Sequence, residues 1–410
     1  MASPFTAIKV SGKLSKAISL APTSDDVVAQ IRPPIENKGI DETTELFKSL
    51  FIREIVPHIL RPNTNNSPVC GMEIWYHNEE VKFMLYVPST ELAKHYRRQF
   101  SGHFPGLSIE DVWEDTNKFP HIPKDDYLSA IQLQLKNHYF EPIRSPASDT
   151  TSFDTDPYQT ILSEIDTKDE DVKTVIQFLF KPAEDDWTEL HTNNVETYST
   201  RLQNGGGYKS RYFGLLIDEV ETPKARAKAA KQIRKQVNKP AYYVNVRIAV
   251  ASSERAKTEE QVRSVFTDFE NEYLEATKQT FTTKKYWFSH ESRMKETILN
   301  MALRQETFME QPKSPFKWMR NKLGNCDTMI MTIPELSGLI HIPNGDELNV
   351  DSISWTNAPV SGTLPPEAKN FKPTTKKERE VARERLKKRK KGTALRRYKS
   401  SVPKDNKERV

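Results

Sequence analysis

A glycine triplet followed by lysine and serine is the combination in this chain nearest to phosphate chemistry. The stretch "NGGGYKSRYFG", residues 204–214, holds Gly205, Gly206, Gly207, Lys209 and Ser210. A phosphate-cradling loop reads G-x-x-x-x-G-K-[ST] between a buried strand and a helix, so that backbone N–H groups curl round the phosphates before the lysine reaches them. Here Tyr208 separates Gly207 from Lys209, Leu202 stands where the first glycine belongs, and the preceding "VETYSTRLQN" is polar. The stretch reads as a flexible loop, and the full pattern occurs nowhere else in the chain.

Other reactive residue types are scattered rather than grouped. The nine histidines form no H-E-x-x-H or similar ligand spacing, although His95 and His103 are eight apart and can share a helix face. Cys70 and Cys326 are too few for a disulfide framework or a zinc cluster. Asp185 and Asp186 ahead of Trp187 read as a solvated turn, and there is no G-x-S-x-G elbow. No nucleophile, base and orienting group stand in recognisable order. The expectation is a protein with no catalytic residues, no metal ligands and no cofactor.

Charge points instead to binding. Residues 375–410 contain 16 Lys and Arg against 5 Asp and Glu, an excess of +11 in a chain whose net charge is +5, so residues 1–374 carry −6. Lys387, Lys388, Arg389, Lys390, Lys391, Arg396 and Arg397 are the densest part and the candidate contacts to a polyanion, either nucleic acid or an anionic membrane face. A solubilising extension is the alternative reading. A second mixed stretch, "EQPKSPFKWMRNKLGN", sets Trp318 among Lys313, Lys317, Arg320 and Lys322, a composition suited to a phosphate backbone or an acidic partner. With 36% hydrophobic and 29% charged residues, no apolar run of ~18 residues and no signal-like N-terminus, the expected setting is a reducing cytoplasm.

The elements that must carry these residues follow from periodicity. Residues 1–44 read as a loosely ordered arm. A helix is expected over "ETTELFKSLFIREIVPHIL", with Leu46, Phe47, Leu50, Phe51 and Ile55 on one face and Pro57 near its end. Two strands, "VCGMEIWYHN" and "EEVKFMLYVP", meet at a tight turn, and Ser89 caps a helix striped by Leu92, Tyr96 and Phe100. Strands follow at "LSIEDVW" and "YLSAIQLQL", completing a first module over 45–143. "RSPASDTTSFD" (144–154) reads as a linker. A second module over 155–345 contains a helix at "YQTILSEI", strands at "DVKTVIQFLFKPAE", "AYYVNVRIAVASS" and "YWFSH", a charged alanine-bearing helix at "TPKARAKAAKQIRKQVNKP" and a helix at "ESRMKETILNMALRQ". Thr258 with Gln261 forms a capping-box pattern at the head of a further helix. An extended link over 346–374 and a basic tail over 375–410 complete the chain. The fold class expected is α+β: two small modules with helices on mainly antiparallel sheets, between a disordered N-terminal arm and the tail.

In the order of its segments, the chain resembles the region N-terminal to the motor in conjugation-type ATPases of the HerA–FtsK superfamily, which drive type IV secretion and DNA transfer. "EIWYHNEEVKFMLYVP" with "YRRQFSGHFPGLSIEDV" resembles the opening module, and "YFEPI" before "DTDPYQTIL" the first junction. "VIQFLFKPAEDDW" resembles the strand that leads to a charged helix, "MTIPELSGLIHIPN" the exit segment, and "SISWTNAPVSGTLPP" the link to the motor. The resemblance spans residues 45–370, but a basic tail stands where that family has its Walker A motor. It implies a non-enzymatic accessory subunit of a DNA-transfer or DNA-packaging machine on a plasmid or virus, partnered by a P-loop ATPase on a separate chain, with DNA and the inner membrane face as further contacts. It makes Leu336, Leu339 and Ile342 of the exit segment, with Trp318, the candidate partner interface, while ordinary core packing is the alternative reading of the three apolar residues. The alternative is a stand-alone nucleic-acid-binding protein acting through its tail.

Overall fold

Twelve strands and nine α-helices are formed by the described residues of the computed structural model, which are 3–19, 26–58, 61–111, 119–147, 153, 155–165, 169–188, 195–204, 223–235, 239–275, 278–283, 290–307, 329–348 and 350–356. The strands are β1 (Ile8–Lys9), β2 (Val27–Arg32), β3 (Ile55–His58), β4 (Arg61–Asn65), β5 (Cys70–His77), β6 (Glu80–Val87), β7 (Ser108–Asp111), β8 (Tyr127–Leu135), β9 (Lys173–Pro182), β10 (Ala241–Ser252), β11 (Phe281–Thr283) and β12 (Ile330–Thr332). The helices are α1 (Gly12–Ile18), α2 (Gly39–Ser49), α3 (Thr90–His103), α4 (Tyr158–Ile165), α5 (Val195–Gln203), α6 (Pro223–Arg234), α7 (Arg255–Glu272), α8 (His290–Ala302) and α9 (Ile333–Leu339). The class is α+β with a large antiparallel sheet, as composition and patterning imply.

Ten strands make one sheet in the order β1-β8-β10-β9-β5-β6-β2-β7; β11 pairs β8, and β12 takes the stretch of β10 that β8 leaves open. β10 is an interior strand, and its "AYYVNVRIAVAS" is buried at all twelve positions, with helices over both faces. The divide expected at residues 144–154 runs through this sheet: β5 pairs β9, and β8 pairs β10. Residues 45–143 and 155–345 are therefore one folded body, Met1–Ala358, rather than two modules. The described linker residues belong to it too, for Phe153 packs edge-on against Tyr273 with Arg144 over its ring. The described part of residues 1–44 is likewise built in, since β2 lies between β6 and β7 and buries Val28 and Ile31. Its strand signal, "VVAQIR", is too short to stand out from a Pro- and Lys-rich background.

Two helical layers sandwich the sheet. On one face α2, α3, α4, α7 and α9 bury Phe47, Tyr96, Phe100, Ile161, Phe269 and Leu336 against inward residues such as Ile74, Phe178 and Val246. The other face carries α1 and α8 over Trp75, Leu179 and Ala249, and α5 and α6 over Ala241 and Tyr243. Some local details depart from expectation. α2 stops at Ser49, and Pro57 lies in β3 of a separate hairpin with β4. α7 begins a turn before Thr258, whose hydroxyl bonds Ser252 Oγ at 2.9 Å while Gln261 Nε2 donates to Glu164 O. The expected strand "YWFSH" falls mostly outside the described residues, and His290 opens α8.

Candidate functional site

The exit segment is positioned by its own cap. Thr332 opens α9, and Glu335 closes a capping box by accepting from the Thr332 N–H at 2.8 Å and from its hydroxyl at 2.5 Å. The other oxygen of Glu335 accepts the Ile143 N–H at 3.1 Å, which ties α9 to the end of the β8 connection. Burial pushes this carboxyl up to about 7, against the pull of its Thr332 bonds. Leu336, Leu339 and Ile342, expected at a partner surface, are 0%, 0% and 1% exposed and sit in the main core. Their spacing does place them together, but against the sheet.

Beyond α9, His341 Nε2 lies 2.8 Å from Asp156 Oδ1, and its ring stacks on Tyr158 at 3.8 Å. Burial alone would raise the Asp156 carboxyl; the adjacent His341 and the N–H groups of Tyr158 and Asn344 hold it below its usual range. An Asp–His pair is two thirds of a hydrolytic triad, but the other ring nitrogen, Nδ1, is buried and bonds nothing. With Tyr158 donating to Leu339 O and Tyr273 to Gly338 O, the pair fastens the exit segment to α4 and α7.

A second constellation crosses the sheet. Glu73, Gln177, Arg247 and Gln132 stand directly opposite one another on β5, β9, β10 and β8. Gln177 Nε2 donates to Glu73 Oε1 at 2.8 Å; Arg247 donates to Gln177 Oε1 at 3.0 Å and to Gln132 Oε1 at 3.2 Å. Arg304 closes the row with two bonds to Glu73, at 3.1 and 3.2 Å, and Thr307 bonds Arg247, Gln132 and Asn245. Burial draws the Arg247 guanidinium down to about 10, so it stays cationic at neutral pH. Sequence reading missed this row, although its signal is there: Glu73, Gln177 and Arg247 interrupt apolar runs, as in "MEIW", "VIQFL" and "NVRIA". All four residues of the row are buried, so it joins strands and exposes no reactive atom.

Cys70 is internal as well, and His138 is half-buried. The Cys70 thiol is buried and pushed up to about 12, far from a nucleophile's range, and burial pulls His138 down to about 4. Among the described residues no three His, Cys, Asp or Glu side chains group to hold a metal, and no helix is long and apolar enough to cross a membrane. Trp318, the Gly205–Gly207 loop and the tail cations Lys387, Lys388, Arg389, Lys390, Lys391, Arg396 and Arg397 lie outside the described residues. What the fold does present outward is charge, chiefly on α6. Its buried side holds Ala229, Ala230 and Ile233, while Lys228 and Lys231 are exposed.

A family model described as Domain of unknown function (DUF8128) matches residues 5–356, a span that takes in every element above. No curated protein matches the chain.

Proposed function

The chain belongs to the DUF8128 family, and for this member we propose a non-enzymatic accessory subunit of a DNA-transfer machine. It contacts DNA through its basic tail and serves a P-loop ATPase of the HerA–FtsK type on a separate chain. The observation that carries the reading is the separation of charge: 16 Lys and Arg within residues 375–410, attached to a body of net −6. A body whose clustered ionisable groups are spent on joining strands and fastening α9 supports binding over catalysis. The ordered segments from "EIWYHNEEVKFMLYVP" to "MTIPELSGLIHIPN" supply the ATPase partner by resemblance.

The test is co-purification of the full chain with the P-loop ATPase encoded beside it, together with duplex DNA titrations from about 50 to 200 mM salt. Seven phosphate contacts from the tail give a log–log slope near −6, and replacing those seven cations by Gln removes it. Purified chain alone neither binds nor hydrolyses ATP. DNA binding without capture of the ATPase supports a stand-alone nucleic-acid-binding protein; failure of both measurements overturns the proposal.

A further inference from the structure

The two helical layers carry opposite charge. In the layer of α1, α5, α6 and α8, α1 has two lysines and no carboxylate, α6 has five cations and no carboxylate, and α5 and α8 balance, leaving seven cations in excess. In the layer of α2, α3, α4, α7 and α9, two excess carboxylates each on α2 and α7 and one each on α4 and α9 outweigh two excess cations on α3, leaving four carboxylates in excess. We propose that the α6 face is a docking surface for the phosphate backbone of duplex DNA, with the acidic layer turned away from it. This rests on the reading that the protein binds DNA, but on a surface separate from the tail.

Within this layer α6 carries the most cations. Lys228 and Lys231 on α6, and Lys235 just past its end, recur at three- and four-residue steps, which aligns them along one stripe. Like charges at these spacings destabilise a helix by about 0.2–0.5 kcal/mol per pair. On α7 and α8 such charges are offset by pairing: Arg255 with Glu259 at 2.8 Å, Lys295 with Glu291 at 2.5 Å, Arg293 with Glu296 at 3.2 Å. Lys228 and Lys231 form no ion pair among the described residues. Arg234 is used differently, its Nε donating to Ser199 Oγ at 2.9 Å and its Nη2 to Thr200 and Gln203, so it locks α6 onto α5 and fixes the angle of the stripe.

The chemistry of the face selects the polyanion. A helix that lies on a membrane sets Trp, Phe or Leu beside its cations to enter the acyl boundary. From Lys224 to Lys231 only alanines separate the cations of α6, Gln232 and Ile233 that follow are buried, and Ala227 is exposed. Short side chains beside lysines let a rigid phosphate backbone approach, whereas they give a bilayer nothing to bury. The charge spacing suits phosphates, which recur every few ångströms along a duplex.

The experiment uses the full chain, a labelled duplex of arbitrary sequence and vesicles of phosphatidylserine in phosphatidylcholine. Lys228→Gln with Lys231→Gln removes two contacts and is expected to lower the magnitude of the log–log salt slope by about 1.8. The same decrease is expected when the seven tail cations are already Gln, while Glu260→Gln on the exposed side of α7 leaves the slope unchanged. Both lysines are exposed, so the far-ultraviolet dichroism and melting temperature stay those of the parent. An unchanged slope in both backgrounds overturns the α6 surface while leaving a tail-dependent slope intact. Residual, α6-dependent binding with a slope indifferent to the tail does the reverse. Absence of DNA binding, or binding of the vesicles instead, defeats the surface and the DNA reading together.

Discussion

Arg304 shows how a single residue can serve two constraints at once. α8 ends in a Schellman arrangement, with the Gln305 N–H bonded to Asn300 O at 2.8 Å and the Arg304 N–H to Met301 O at 3.1 Å. The residue after the cap then takes φ 51°, where glycine is usual and other residues cost roughly 1–2 kcal/mol. Arginine stands there because its guanidinium must reach Glu73, with both side chains fully buried. Arg304→Gly would relieve the backbone and still strand a buried carboxylate. We expect Arg304→Gly and Arg304→Met both to lose about 3–5 kcal/mol in urea melts, and Glu73→Gln added to Arg304→Met to recover most of it. Glu335 gives a pH-dependent counterpart. Its folded value of about 7 lies above the unfolded one, so between pH 4.5 and 7 the folded state binds more protons and its contribution weakens as pH rises. Glu335→Gln, which mimics the protonated form, should therefore gain stability relative to the parent on passing from pH 5 to pH 8. A constant difference across that range would refute the assignment.

At the scale of elements, local chemistry was most legible where it alone decides the geometry. The β5–β6 hairpin follows from "WYHNEEVKF": His77 pairs Glu80 across a two-residue turn, with φ 54° at Asn78 and 57° at Glu79, the signs of a type I′ turn. Asparagine tolerates that conformation and glutamate does not, so Glu79→Gly is expected to raise stability by about 0.5–1 kcal/mol, read as a higher urea midpoint at unchanged slope. The Ser89 cap of α3 was equally plain, its hydroxyl accepting the Leu92 N–H. α2 was less so, because "LFKSLFIREI" continues an apolar stripe past Ser49 and helix propensity alone cannot say that residues 55–58 pair with β4. The same limit applies to the exit segment. The apolar spacing of Leu336, Leu339 and Ile342 is visible in the sequence, but a core and an interface ask for the same residue types. The polar row was in sight where Glu73, Gln177 and Arg247 interrupt apolar runs, yet only strand register shows that Glu73, Gln177, Arg247 and Gln132 are neighbours.

For the molecule as a whole, the order of strands was the least legible property, since nothing local in β5 announces that β9, about a hundred residues on, lies at its edge. A turn-rich break at 144–154 looked like a boundary and is instead a crossing between strands of one sheet. One consequence is cooperative: heating should give a single transition by calorimetry, with dichroism and tryptophan fluorescence coincident, and Leu339→Asp should lower it for every probe at once. Two separated transitions would restore independent modules. Another consequence concerns synthesis. β10, an interior strand of the sheet, and α9, which fills the core beneath it, are encoded after β2, β5, β6 and β7 have left the ribosome. At about 5–20 residues per second, the edge of β5 waits on the order of ten seconds for β9 and longer for β10. During that interval the nascent chain carries an open strand edge beside unburied Trp75, Phe83 and Leu85, the state in which strands recruit copies of themselves. Fragments that stop near residue 143 lack β9 and hold that edge open permanently, so they should aggregate where the complete body stays dispersed.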